Sequence, residues 1–263
     1  MKKRVKPALV GLIHQSKIIM FQGFVLLLIA TNVACKKNAA AGPVDGYATG
    51  KVTDTKGNAL AGIEVIVENT LLGNHTYASG VSDSKGNYKI KLPNVGTFHA
   101  SAYVKKAYNG KTYELPLHPD KNESFSNEGA VVNFQWKLSG PMPTEMEGFY
   151  GGSAYIYNHP GRYILDEHNI EFTLKPVGNL IDGSAGQTIV RRSGEPQTVS
   201  YGRLMDIPIG RYTVTATYLT GGTKVPLTLR VLDATTAYAS QMTLDFEPTS
   251  TSGKNTGNIQ YYY

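Results

Sequence analysis

Tyrosine is the residue type through which this sequence could do the most chemistry, by binding and not by catalysis. Four tyrosines follow one another closely: Tyr150, Tyr155, Tyr157 and Tyr163. A tyrosine ring has an apolar face and a polar tip, which suits it to carbohydrate or protein surfaces. Tyr155 and Tyr157 alternate with Ala154 and Ile156, so a strand here would turn both tyrosines outward. The four tyrosines are therefore candidate ligand-binding residues, although packing between two sheets would use the same side chains.

A metal site is the second candidate. His168 and Glu171 have an H-x-x-E spacing that resembles the zinc motif of metallocarboxypeptidases. Glu171 is expected on a strand whose Phe172 faces inward, and an odd separation along a strand sends two side chains to opposite faces. Zinc needs at least three protein ligands, and no further ligand set surrounds this pair. We therefore predict a loop histidine and a surface glutamate, with no metal site.

Other catalytic motifs are missing from the sequence. Asp54 and Asp83 each begin a D-x-K-G-N segment, which is too short for a calcium-binding EF-hand loop and is typical of a tight turn. The adjacent carboxylates Asp166 and Glu167 are expected in a loop as surface charge. No nucleophile elbow and no phosphate-binding glycine loop occurs. We predict no catalytic residue and no cofactor.

The first 34 residues have the layout of an export signal. They carry five basic residues and no acidic one before an apolar run of 17 residues from Ile18 to Ala34. Cys35, the single cysteine of the chain, follows at once and resembles the lipobox cysteine of bacterial lipoproteins, which is acylated after signal cleavage. The resemblance implies a signal peptide over 1–34, a lipidated flexible tether over 35–46 and attachment to a membrane through Cys35. An uncleaved membrane anchor is the alternative, since 17 residues just reach spanning length.

Charge and cysteine content narrow the function classes further. Without the five basic residues of the leader, 21 lysines and arginines face 20 aspartates and glutamates, so the basic isoelectric point gives no reason to expect nucleic acid binding. Because no cysteine follows Cys35, stability must come from core packing and not from disulfides.

The candidate residues must be positioned by strands, since no window shows helical periodicity. From Tyr47 to Val104, period-two alternation is punctuated by the two D-x-K-G-N turns, and Val132, Phe134 and Trp136 mark a further strand over Ala130–Leu138 with the tryptophan buried. The order G-x-V-x-D-x-x-G-N-x-L-x-G-I-x-V, then S-D-x-x-G-x-Y-x-I-x-L-P-x-x-G-x-F, resembles the carboxypeptidase regulatory-like domain. The resemblance covers residues 47–138 and implies a transthyretin-like seven-stranded β-sandwich that is not catalytic.

A second domain is expected after a proline- and glycine-containing linker over 139–148. Residues 149–263 read as an all-β sandwich with Val231 in its core, either Ig-like or a diverged copy of the first domain. A weak internal repeat suggests the copy: Ile207-Pro-Ile-Gly210 precedes a predicted strand, as Leu92-Pro-Asn-Val-Gly96 does. Its strands are predicted at Ser153–Tyr157, Ile170–Lys175, Thr188–Arg191, Thr198–Tyr201, Arg211–Tyr218, Val225–Val231, Met242–Phe246 and Ile259–Tyr263.

Three function classes remain. We favour a non-enzymatic, lipid-anchored cell-envelope protein that acts as an accessory or protein-interaction module. A lipoprotein with these two domains resembles proteins of unknown function that accompany outer-membrane glycan-uptake systems of Gram-negative bacteria. Lys36 stands where a retention signal would place aspartate, which favours the outer membrane. The alternative is a glycan-binding lipoprotein that uses exposed tyrosines. A hydrolase would need convergent carboxylates or a metal, which the motifs do not offer.

Overall fold

The computed structural model describes residues 42–71, 76–248 and 254–263. The predicted signal peptide, Cys35 and the tether up to residue 41 lie outside this part of the chain. Within it there are eighteen strands, two 3₁₀ turns (Thr144–Met146 and Glu167–Asn169) and no α-helix, which confirms the all-β prediction. No helix in the described ranges is long and apolar enough to cross a bilayer.

The N-terminal sandwich consists of two facing sheets. One has the strand order β4-β1-β9-β7, with β8 also on β1, and the other has the order β3-β2-β5-β6. Counting β6 with β7 and β8 with β9 as interrupted single strands gives the seven strands expected. The strands are β1 (Tyr47–Thr53), β2 (Glu64–Asn69), β3 (Tyr77–Val81), β4 (Asn87–Lys91), β5 (Phe98–Tyr108), β6 (Lys111–Pro116), β7 (His118–Pro119), β8 (Ala130–Val131) and β9 (Phe134–Gln135).

The two D-x-K-G-N segments are turns, as predicted. Asp54 Oδ1 accepts hydrogen bonds from the amides of Lys56 (2.9 Å) and Asn58 (2.8 Å). Asp83 repeats this arrangement with the amides two and four residues ahead, both at 2.8 Å. Burial raises the pKa of the Asp54 carboxyl group, but its hydrogen bonds to Asn58 and Lys56 together outweigh this effect and lower the pKa. The hydrogen bonds from Asn87 and Lys85 likewise hold the pKa of Asp83 below the usual value. The turns fix the register that puts Val52, Val65 and Ile90 in the core.

The prediction of one unbroken strand over Ala130–Leu138 is wrong. It is broken between β8 and β9, where Lys51 N donates to the side chain of Asn133 (2.9 Å) instead of a backbone carbonyl. The backbone of Val132 approaches Gly50 so closely that a Cβ at Gly50 would lie 1.9 Å from the carbonyl oxygen of Val132. The alternation survives the break, and Trp136 is buried as predicted, at 3% exposure.

The C-terminal sandwich forms one continuous sheet that folds over on itself. Its strand order is β12-β11-β14-β15-β18-β10-β13, with β16 on β14 and β17 on β18. The strands are β10 (Gly152–Asn158), β11 (Ile170–Pro176), β12 (Ile189–Arg191), β13 (Arg203–Ile207), β14 (Tyr212–Thr220), β15 (Thr223–Arg230), β16 (Met242–Leu244), β17 (Glu247–Pro248) and β18 (Asn255–Tyr262).

The two sandwiches share one topology. The pairings β1–β4, β2–β3, β2–β5 and β5–β6 recur as β10–β13, β11–β12, β11–β14 and β14–β15, all antiparallel. The parallel pairing of β1 with β8 and β9 recurs between β10 and β18. Of the two alternatives for residues 149–263, this pairing scheme favours a diverged copy of the first sandwich, with β16 and β17 added.

The two repeated segments, Leu92–Gly96 and Ile207–Gly210, have similar positions in their sandwiches. The first Pro-x-x-Gly turn carries the chain from the sheet of β4 to that of β5, and the second carries it from β13, at one end of the continuous sheet, to β14. Both following strands end in two-residue hairpins, at Asn109-Gly110 and Gly221-Gly222. All four hairpin residues have positive φ (48°, 77°, 55° and 76°), as a type I′ turn requires. After Pro116-Leu117 and Pro226-Leu227 the chain changes pairing partner, to β9 and β18 respectively.

Two predictions for the C-terminal sandwich are wrong. Thr198–Tyr201 is not a strand; the chain turns twice there, with Thr198 N bonded to the carbonyl of Glu195 (3.2 Å) and Tyr201 N to that of Thr198 (3.1 Å). The strand begins at Arg203 instead. Val231 is 47% exposed and not part of the core, because β15 ends at Arg230 and Val231 starts a turn.

Polar contacts join the two sandwiches, and residues 42–263 form one compact unit. The buried Tyr113 hydroxyl donates to the carbonyl of Phe246 (2.7 Å), and Thr55 Oγ1 donates to Asp182 (2.7 Å). Lys111 forms an ion pair with Glu247. The predicted linker, 139–148, falls between β9 and β10 and is closed as a loop by hydrogen bonds from Met142 N to Gly148 O and from Tyr150 N to Gly140 O, both 3.0 Å.

Candidate functional site

The outer face of the sheet β15-β18-β10-β13 gathers tyrosine and arginine side chains. We call it the tyrosine–arginine face and define it by Tyr155, Tyr157, Arg203, Arg230, Tyr238 and Tyr262. Strand alternation places the five strand residues there: Ala154 and Ile156 in β10 and Ile259 and Tyr261 in β18 are buried, so Tyr155, Tyr157 and Tyr262 lie on the opposite face. Tyr238 comes from the loop between β15 and β16 and contacts Arg230.

Strand register sets the rows of this face. Tyr155 is paired with Arg203 on one side and Asn258 on the other. One row further along, Tyr157 is paired with Gln260, which in turn is paired with Arg230. Tyr155 and Tyr157 are thus partly exposed on a shared face, as the sequence predicted, and Tyr157 is 37% exposed.

Arginine side chains stack on the tyrosine rings. The guanidinium carbon lies 5.5 Å from the Tyr155 ring centre for Arg203 and 4.4 Å from the Tyr238 ring centre for Arg230. Arg230 Nε also donates to Gln260 Oε1 (2.9 Å). Such stacks are favourable and hold the guanidinium groups in place without neutralising their charge.

The charge of these arginines is not balanced by carboxylates. In the described ranges, neither Arg203 nor Arg230 forms an ion pair, whereas Arg192 is bound to Glu171 (2.9 Å) and Arg211 to Asp245 (2.8 Å). Tyr157, between them, has no aromatic or cationic group stacked on its ring among the described residues. The face therefore offers an open ring flanked by two positive charges.

A groove of about 690 Å³ lies at the end of this face, between the two sandwiches. Tyr103 and Pro116 come from the N-terminal sandwich, while the loop over 142–149, β10, β13 and the start of β18 supply the other walls. Its lining contains methionine, aromatic and arginine side chains: Met142, Met146, Met205, Phe149, Tyr103, Tyr155 and Arg203. Tyr155 and Arg203 belong to both the groove and the face.

The other two candidate tyrosines are not part of this face. Tyr150 is only 3% exposed and its hydroxyl is hydrogen-bonded to His118 Nδ1 (2.9 Å), so its ring is not available to a ligand, contrary to the expectation. Burial raises the pKa of Tyr150 to about 12. The chain enters β10 here and closes against the N-terminal sandwich, which is why Tyr150 is covered. Tyr163 is exposed in the loop that follows β10.

The H-x-x-E pair does not converge on one point. His168 Nε2 lies 3.5 Å from Glu195, and Glu171 is bound to Arg192. Among the described residues, no group of three potential metal ligands comes together. Asp166 accepts from the hydroxyl of Tyr218 (2.6 Å) and from Asn169 (3.0 Å), which keeps its pKa below the usual value.

Glu167 contradicts the expectation of a surface charge. It is only 8% exposed and accepts a hydrogen bond from the hydroxyl of Tyr261 (3.1 Å). Burial raises the pKa of its carboxyl group, and hydrogen bonds from Tyr261 and Tyr201 oppose this only in part.

Sequence reasoning found Tyr155 and Tyr157 but missed the arginines and methionines around them. Arg203 was missed because its strand was placed too early, at Thr198–Tyr201. Arg230 and Tyr262 fall within predicted strands, and their outward positions could have been read from alternation with Leu229 and Tyr261. The loop residue Met146 carries no such signal.

No protein-family model matches the chain, and the curated proteins give no match. Among solved structures it is similar to the TIE protein of Bacillus anthracis, with 16% identity and a TM-score of 0.31, over 84% of this chain and 35% of that one. It is also similar to a streptococcal ancillary pilin, with 12% identity and a TM-score of 0.24, over 81% of this chain and 62% of that one. A third similar structure is BcpA, the major pilin subunit of Bacillus cereus, with 11% identity and a TM-score of 0.22, over 82% of this chain and 99% of that one. The chain thus spans about a third of the first and less than two thirds of the second. With such low TM-scores, the proposals below depend on the chain's own residues.

Proposed function

We propose that this chain is a non-enzymatic cell-envelope protein, attached to the outer membrane through acylated Cys35, that works as an accessory protein-interaction module, in company with a glycan-uptake system. The observation that carries the interaction role is the lining of the groove. Tyrosine, phenylalanine, methionine and arginine are enriched at the centres of protein interfaces, and they supply seven of the sixteen described residues that line this groove. Methionine adapts its shape to a partner, which suits a binding surface.

The fixed relation of the two sandwiches supports this role. The two sandwiches that supply the walls of the groove are joined by hydrogen bonds, including that of the buried Tyr113. Asp206 adds a further contact, because its carboxylate accepts from Gly140 N at 2.9 Å and from Gly151 N at 3.3 Å. A groove formed in advance loses less entropy when a partner binds.

Site-specific photo-crosslinking in intact cells tests the interaction. A photoreactive residue replacing Met146 in the groove is expected to yield one discrete crosslinked protein. The control replaces Val190, which is 50% exposed on β12 at the far end of the sheet, and is expected to yield none. The same bands from both positions, or none from Met146, would contradict the proposed role.

Glycan binding is the second candidate function, and the outward-facing pair Tyr155 and Tyr157 favours it. Rings on a flat sheet face can stack against sugar rings, which have apolar faces of their own. The face and the groove share Tyr155 and Arg203, but Tyr157 and Arg230 lie outside the groove lining and Met146 lies outside the face, so the two roles can be tested apart at these positions.

A further inference from the structure

We infer that the tyrosine–arginine face binds an anionic polysaccharide, whose sugar ring stacks on Tyr157 while Arg203 and Arg230 contact its carboxylate or sulfate groups. The inference rests on the second candidate function and specifies its ligand class. It shares Arg203 with the groove, but the protein-interaction role is tested at Met146, which lies outside the face.

Tyr157 is positioned so that a ligand can stack on its ring. It is exposed, it stands on a regular sheet, and no group in the described part of the chain is stacked on its ring. The neighbouring rings of Tyr155 and Tyr238 each have an arginine over one face. The fourth ring, Tyr262, has Arg162 over it at 6.0 Å, so Tyr157 is the ring of this face without a stacked group among the described residues.

The arginines flank that ring at useful distances. Neighbouring strands are about 4.8 Å apart, and alternate residues along a strand are about 6.6 Å apart. By the register, the backbone of Arg203 is therefore about 8 Å from that of Tyr157, and the backbone of Arg230 about 10 Å away on the other side. Both distances are within reach of an arginine side chain that contacts the substituents of a sugar stacked on Tyr157.

Charge selects the ligand class. A guanidinium group with no carboxylate partner can form paired hydrogen bonds with a carboxylate or a sulfate. Arg192 and Arg211 already have carboxylate partners within the protein, but Arg203 and Arg230 do not form ion pairs in the described ranges. A neutral glycan would leave both positive charges unused, and an acidic peptide would not use the flat, open ring.

Affinity electrophoresis of the full chain in detergent tests the inference with matched polymers. Polygalacturonate is compared with its methyl ester, and dextran sulfate with dextran, so that each pair shares one polysaccharide backbone and differs in its ionised groups. We expect retardation by polygalacturonate, by dextran sulfate or by both, which tells carboxylate from sulfate recognition, and none by the neutral polymers. Retardation should weaken as salt rises, because exposed charges are screened.

Variants assign the binding to the face. Arg203→Gln and Arg230→Gln should each weaken binding roughly tenfold, the usual cost of losing a charged hydrogen bond. Tyr157→Ala should weaken it by a similar factor. Arg191→Gln, on the distant strand β12, and Tyr77→Ala, on β3, are the matched controls and should bind as the unchanged chain does. Thermal unfolding of each variant checks that the fold is retained.

Several results would overturn the inference. These are no retardation by either anionic polymer, equal retardation by a neutral polymer, equal affinity for poly-glutamate, and unchanged binding by folded Arg203→Gln and Tyr157→Ala variants. None of them bears on the crosslinking result at Met146, so failure of this inference is distinguishable from failure of the interaction role.

Discussion

The environment of Glu167 shows how strongly a single side chain depends on contacts that its neighbours in sequence do not reveal. The adjacent Asp166 is held by Tyr218 from β14, and Glu167 is covered and bonded by Tyr261 from β18. Two carboxylates next to each other in a loop-like segment give no indication of which will be buried. The sequence therefore predicted their loop position correctly but not the burial of Glu167.

Stability should depend on pH through Glu167. Its folded-state pKa lies above the unfolded value, so the folded state pays for ionising it. The penalty is absent below the unfolded pKa and complete above the folded one. Glu167→Gln removes it, so we expect a higher melting temperature than that of the unchanged chain at neutral pH, with the difference vanishing at acidic pH.

Thermal unfolding over a pH series measures this, with Glu64→Gln as the control because Glu64 is exposed on β2. A Glu167→Gln variant that melts lower at neutral pH would show that ionised Glu167 stabilises the fold.

Strands were predictable where alternation and turn chemistry agree. The two D-x-K-G-N turns and the strands β1, β2, β4 and β5 were found because apolar residues recur at every second position between them. Thr198–Tyr201 also alternates, but Pro196 and the glycines on either side make this segment a series of turns. The break between β8 and β9 could not be predicted, because it depends on a side chain, Asn133, that bonds to another strand.

Gly50 is expected to be essential for the close approach of β1 to Val132, between β8 and β9. A methyl group there would collide with the carbonyl of Val132, and the strands would have to separate. We expect Gly50→Ala to lower the free energy of unfolding by about 3 kcal/mol, the upper range for overpacking. Urea denaturation measures the loss. Gly42→Ala is the control, since no atom lies within 4 Å of a Cβ there. If Gly50→Ala lowered the free energy of unfolding no more than the control does, the strands would be able to move apart without cost.

The two-sandwich molecule was only partly visible in the sequence. The repeated proline–glycine turn suggested a copy, and in both halves it connects two strands that do not pair with each other. That the second domain is a copy of the first stays a prediction. The groove gave no such hint. Its walls include Tyr103, Met146 and Lys254, which are far apart in the sequence and meet only because the sandwiches pack together. Binding surfaces of this kind arise from packing and have no local sequence pattern.

Cysteine labelling in intact cells tests most directly whether the anchored molecule works through its groove. If Cys35 is acylated as proposed, it has no free thiol, so Met146→Cys introduces the one reactive thiol, with Val190→Cys as the exposed control. We predict that a maleimide leaves Met146→Cys unlabelled in cells and labels it after purification. We also predict labelling in cells when Cys35→Ala prevents acylation and keeps the protein from its proposed site, while Val190→Cys reacts throughout. Equal labelling of Met146→Cys in all three states would contradict the account.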